Sequence, residues 1–179
     1  MYVVVTIEEW IGLLPDDNID VEKAALSYLR ETLEGTIDPE LGVIVAVLNA
    51  TILSDGLILP MPGDPKAYYL VRYDALVYRP VQLEVVRGSV VEAREIGLFV
   101  DLGPLDGFVH KSQIMDEPVE YLPDRRGFRG TRTGRIIEVG DIVRARVSAI
   151  GRDRRRGGIR IGLTMRQPYL GKEDWITGE

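Results

Sequence analysis

Three side chains stand out as able to hold a flat ligand: Phe99, Phe108 and His110, the chain's single histidine. They fall within residues 88–110, GSVVEAREIGLFVDLGPLDGFVH, where β-branched and apolar runs are cut by Gly97, Gly103-Pro104 and Gly107. That punctuation predicts three short antiparallel strands. Alternation along a strand puts Leu98, Val100 and Leu102 on one face and Phe99 with Asp101 on the other. Val109 takes the core side, and Phe108 shares the outer side with His110. Outward rings suit nucleobases, and each stacked base contributes roughly 1–3 kcal/mol with little sequence preference. Lys111, Arg144, Arg146 and Arg160 are the candidate phosphate cations. A plainer alternative is that the two phenylalanines close a barrel end or cover a domain interface.

Other chemistry finds little material. With one histidine and no cysteine there is no histidine pair or zinc ribbon for a metal, and no thiolate nucleophile. Asp16-Asp17 and Asp116-Glu117 fall in turn-rich stretches and read as caps or solvated charges. Gly103 and Gly107 read as hairpin turns rather than a phosphate loop. No cofactor or metal is expected, and no active site.

The net charge of −6 hides a split. Residues 1–80 hold 13 acidic and 5 basic side chains, whereas residues 81–179 hold 15 acidic and 17 basic, 15 of them arginine. Arginine donates in a planar fork and stacks on rings, so the second half suits nucleic acid and the first half another task. No apolar run approaches the roughly 20 residues that cross a bilayer, and the N-terminus lacks a signal-peptide pattern. A cytoplasmic location without membrane association is expected.

Residues 2–7 read as a strand with Val3, Val5 and Ile7 on one face, and residues 21–33 as a helix. Asp20 is its expected cap, Gly35 its left-handed end, and Val21, Ala24, Ala25, Tyr28 and Leu29 its packing face. Strands are expected over residues 43–53, 57–59 and 67–78, with the proline-rich residues 60–65 outside the sheet. This makes an α+β domain over residues 1–80. A further strand over residues 81–86, the three above, residues 142–147 and residues 159–163 describe an oligonucleotide-binding (OB) barrel over residues 81–179. Ser112 to Met115 reads as a helical turn, and residues 116–135 as a mobile loop carrying arginines. The two domains are expected to pack rigidly.

The run GSVVEAREIGLFVDLGPLDGFVHKSQI, with VGDIVRARVSAI and IRIGLTMR, resembles the S-one-type RNA-binding domain. The resemblance implies RNA contacts at Phe99, at His110 and at Asp153. Ile96 stands where a first aromatic is common, and Gly158 where a basic residue is common. Stacking is therefore expected to be modest, with Phe108 and the arginines sharing it. MYVVVTIEEW, EGTIDPELGVIVAV, PMPGDPKAYY, YDALVYRP and GLTMRQPYLGKEDWI are similar to the E-prime family of archaeal RNA polymerase stalk proteins, whose eukaryotic counterpart is the seventh subunit of RNA polymerase II. That likeness implies a truncated ribonucleoprotein-like first domain and a heterodimer with a small helical partner, the F subunit. It also implies docking on core RNA polymerase near the clamp, and passage of single-stranded nascent RNA over the barrel. The docking tip it implies combines Asp38, Pro39, Leu41 and Gly42 with Gly63 and Asp64. An RNA-binding cap of an exoribonuclease complex is the alternative, although the first half lacks the glycine-rich small barrel expected there. A nuclease is a third reading, without clustered carboxylates or histidines to support it.

Overall fold

The computed structural model describes residues 1–15, 20–153 and 158–177, with their side chains except at 152, 153 and 177. The chain divides into two compact units, Tyr2–Arg79 and Pro80–Glu179 with Met1.

In the first unit, β1 (Tyr2–Leu13) is followed by α1 (Val21–Leu33), β2 (Ile37–Asp38), β3 (Gly42–Ile52), β4 (Leu57–Ile58) and β5 (Ala67–Tyr78). The sheet order is β1-β5-β3-β2, all antiparallel, with β4 pairing the start of β5. Strand β1 runs six residues beyond the expected strand, because the alternation of Val3, Val5 and Ile7 continues through Ile11 and Leu13 into the core. Helix α1 has the expected bounds, and the Asp20 carboxylate accepts from the Glu22 amide as its cap. Gly35 has φ +81°, the left-handed turn that ends it. Ala25 and Leu29 bury against Ile44, Val47, Val71 and Val77, whereas Val21 and Tyr28 remain exposed. The packing face is thus narrower than expected. Where β3 bulges between Val47 and Asn49, the Val47 carbonyl accepts from Arg30 Nε and its amide donates to Glu34. Helix side chains there satisfy backbone groups that the ladder leaves open.

In the second unit β6 is Val85–Arg94, β7 Gly97–Asp101, β8 Asp106–His110, β9 Val119–Leu122, β10 Gly127–Gly130, β11 Ile136–Glu138, β12 Ile142–Asp153, β13 Gly158–Thr164 and β14 Gly171–Lys172, before the short helix α2 (Glu173–Thr177). Strands β13-β8-β7-β6-β12 close on themselves through β12–β13, with β13 and β8 parallel. This is the five-stranded OB barrel. Leu98, Val100, Val109, Val143, Ala145, Val147, Ile161 and Leu163 fill its core, as alternation predicts.

Two expectations are corrected here. Residues 81–84 form a turn with Leu83 at φ 69°, and the strand begins at Val85, running unbroken through Gly88. Residues 116–135 do not form a loop. Strands β9, β10 and β11 make a three-stranded sheet, with single 3₁₀ turns at Lys111–Gln113 and Pro123–Arg125. Phe128 is fully buried in this sheet, its ring 5.3 Å from that of Tyr121. Among the described residues, no helix is long and apolar enough to cross a membrane.

Candidate nucleic-acid interface

Phe99 and Phe108 are directly paired across β7 and β8, with ring centroids 5.1 Å apart and planes tilted by 49°. The Phe108 ring lies 6.4 Å from that of His110, edge-on. Both phenylalanines are half-buried and His110 is exposed, so the three rings form a row on the outer surface of the barrel. The Ser112 amide donates to His110 Nδ1 at 3.3 Å, and the Ser112 hydroxyl lies 2.9 Å from the same nitrogen. With Nδ1 accepting the amide proton, the neutral ring carries its proton on Nε2, a donor for a base or phosphate oxygen. Beside Phe108 the neighbouring strand offers Gly162, which faces outward between buried Ile161 and Leu163. At the position paired with Phe108, β13 therefore carries no side chain.

The cations sort themselves by strand. Lys111 is exposed next to His110. Arg160 is exposed on the outer face of β13, two residues and so roughly 7 Å from Gly162. Arg144 and Arg146 do not join the row. They lie on β12, which β6 and β13 separate from β7 and β8. Arg144 pairs across from Arg87, whose guanidinium grips Glu173 at 2.6 and 2.8 Å. The Arg87 hydrogen bond, with a lesser contribution from the charge of Arg144, holds Glu173 below the usual carboxylate range. Arg146 buries its Nε without a hydrogen-bond partner among the described residues. The Asp153 side chain lies outside the described residues.

Sequence reasoning missed Arg94. Its guanidinium carbon sits 5.3 Å from the Phe99 ring centroid, and Glu92 holds the fork at 2.7 and 3.0 Å. A plain alternation from buried Val90 would turn Glu92 and Arg94 inward. A bulge at Val91, between the pairs Val90–Val100 and Glu92–Phe99, reverses the facing. The available signal was the two-residue connection Glu95-Ile96, from which counting back sets Glu92 opposite Phe99.

The residues implied for polymerase docking separate into two places. Asp38 accepts from the amides of Glu40 and Leu41 at 2.7 and 2.8 Å, and so shapes its own turn. Gly42 has φ +104°, and a Cβ there would strike the Tyr78 carbonyl oxygen. Pro39 is exposed on this turn, whereas Leu41 packs against the core. Asp64 accepts from the Lys66 amide and from the Tyr68 hydroxyl at 2.7 Å; the hydroxyl chiefly holds its carboxyl low. Gly63 has φ +85° in an open turn. The first group lies beside Tyr78 and the second beside Ala67, opposite ends of β5 and roughly 35 Å apart. The single tip expected from sequence is therefore not formed.

Residues 82–162 match the S1 RNA binding domain, and residues 10–65 match the "SHS2 domain found in N terminus of Rpb7p/Rpc25p/MJ0397". DNA-directed RNA polymerase subunit Rpo7 of Saccharolobus solfataricus is 41% identical over 157 residues, covering 88% of this chain and 86% of its own. The Sulfolobus acidocaldarius Rpo7 is 36% identical over 89% of this chain and 85% of its own. The chain belongs to the Rpo7 family. DNA-directed RNA polymerase II subunit rpb7 of Schizosaccharomyces pombe is 29% identical over 80% of this chain and 84% of its own, which extends the likeness of this Rpo7-family chain to the eukaryotic counterpart. Among solved structures, the apo form of Mycoplasma genitalium RNase R covers 46% of this chain and 13% of its own at 19% identity, with a TM-score of 0.39.

Proposed function

We propose that this Rpo7-family chain is the stalk subunit of a DNA-directed RNA polymerase, without an active site of its own, and that it guides nascent single-stranded RNA. The observation that carries the RNA reading is the row Phe99–Phe108–His110 on the outer face of two adjacent strands, with Lys111 and Arg160 beside it. Three rings in a row and nearby cations favour a sequence-tolerant contact of modest strength. The small F subunit is its partner in a heterodimer, and the complex works in the cytoplasm.

The first unit docks on core polymerase near the clamp, through the end that carries Gly63 and Asp64. That end exposes Leu57, Ile58 and Met61, with Ile58 74% and Met61 52% accessible. At the other end Asp38, Pro39 and Gly42 build the turn, and Leu41 is committed to the core. The exoribonuclease-cap alternative loses ground, because polymerase-subunit relatives match along nearly the whole chain.

The test is Phe99→Ala combined with Phe108→Ala in the full chain. Affinity for a single-stranded oligoribonucleotide is expected to fall about thirtyfold or more, as two platforms worth roughly 1–3 kcal/mol each are removed. Binding of the F subunit is expected to be unchanged. Unaltered RNA affinity would remove the platform reading.

A further inference from the structure

The outer face of a barrel strand gains two charged residues only because β6 contains one residue more than its partner. Val90 pairs with Val100 and is buried; Glu92, not Val91, pairs with Phe99. The bulge sends Glu92 and Arg94 to the side of the aromatic row, and bulges of this kind re-aim side chains next to functional sites. Arg94 then lies over Phe99, on the flank of the row away from Phe108 and His110. Both Glu92 oxygens hold its fork, at 2.7 and 3.0 Å. A two-oxygen anion already occupies the place where a phosphate group of matching geometry would sit.

We propose that Arg94 is a phosphate-contacting cation of the aromatic surface, and that Glu92 both aims it and competes with the RNA phosphate for its fork. The inference rests on the RNA-guiding reading above and adds to it a residue pair and a mode of contact. Binding here is an exchange of carboxylate for phosphate on one guanidinium. The guanidinium remains over the Phe99 ring and joins backbone contact to the base-stacking row. The exchange also keeps contact weak and reversible, because part of each gained phosphate interaction replaces an existing ion pair. That suits a surface over which RNA must slide.

The experiment measures binding of a fluorescent oligouridylate 12-mer to the full chain at several salt concentrations. Wild type, Arg94→Ala, Arg94→Lys, Glu92→Gln and Phe99→Ala are compared. Arg94→Ala is expected to weaken binding about fivefold to tenfold and to lower the slope of log affinity against log salt by about 1. Glu92→Gln is expected to tighten binding about threefold or more, since it removes the competitor and a like charge. Arg94→Lys is expected to keep the salt slope while losing part of the affinity, because an ammonium cannot lie flat on the ring. If Phe99→Ala weakens binding while Arg94→Ala and Glu92→Gln leave affinity and slope unchanged, the exchange is wrong and the aromatic surface stands. If Phe99→Ala has no effect, or wild type does not bind, the RNA reading itself fails.

Discussion

At the scale of single residues, what distinguishes this barrel surface is where its rings stand. Phe99 and Phe108 face each other across two strands, while Ile96 sits at the hairpin tip, 55% accessible. The Ile96 carbonyl accepts from the Lys111 amide, which ties that tip to the residue following His110. An aromatic ring at 96 would therefore stand close to the existing row. Ile96→Phe is expected to raise oligoribonucleotide affinity about tenfold, one added stacked base at the lower part of the roughly 1–3 kcal/mol range. Titration by fluorescence anisotropy checks it, and unchanged affinity would show that the tip lies off the RNA path. Phe99, Phe108 and His110 were legible from sequence because alternation needs only short-range order. Arg94 was not, since a bulge shifts facing without leaving a mark in composition. Arg144 and Arg146 were legible as outward but not as remote, because facing says nothing of which neighbours a strand has in a closed barrel.

At the scale of elements, the segment between β8 and β12 shows where residue types mislead. Pro118, Pro123, Gly127, Gly130 and Gly134 look like loop punctuation, yet two of these glycines permit close packing. A Cβ on Gly127 would strike the Ile137 carbonyl oxygen, and one on Gly130 would come within 2.5 Å of the Glu117 carboxylate. That carboxylate accepts from the Arg132 and Thr133 amides and from the Thr133 hydroxyl. The hydroxyl bond is the chief cause of its lowered pKa. The segment thus has a core of its own, centred on Phe128 with Ile137 and Tyr121. Phe128→Ala is expected to cost about 3–5 kcal/mol, a buried aromatic truncated to leave a cavity. Arg125→Ala, on the 3₁₀ turn, should stay within about 0.5 kcal/mol. Chemical denaturation of both variants checks the contrast. Equal midpoints would return the segment to the mobile loop that its glycines suggest. Helix α1 and strand β5 of the first unit, by contrast, were legible residue by residue, because their apolar periods run unbroken for more than ten residues, whereas β1 was read only as far as Ile7.

At the scale of the whole molecule, the acidic and basic halves coincide with units of different architecture, one an open sheet with a helix and one a closed barrel. The open sheet has two ends, and strand β5 holds them roughly 35 Å apart. A pocket on core polymerase that receives one end of this sheet does not also receive the other. The residues implied by resemblance therefore compete as docking elements, and exposure decides between them. Ile58 and Met61 present apolar surface to solvent at the Ala67 end, where burial on docking would contribute about 25 cal/mol per Å². At the Tyr78 end the turn held by Asp38 exposes Pro39 and Glu40, and the exposed apolar side chains there, Tyr2 and Val4, belong to β1 and not to the residues the resemblance implies. Ile58→Asp with Met61→Asp is expected to reduce recovery of core polymerase on a tagged chain by about tenfold, with binding of the F subunit and of RNA retained. Glu40→Arg is expected to leave recovery of core polymerase unchanged. Loss of core polymerase with Glu40→Arg, and its retention by the double variant, would move the docking surface to the opposite end of the sheet.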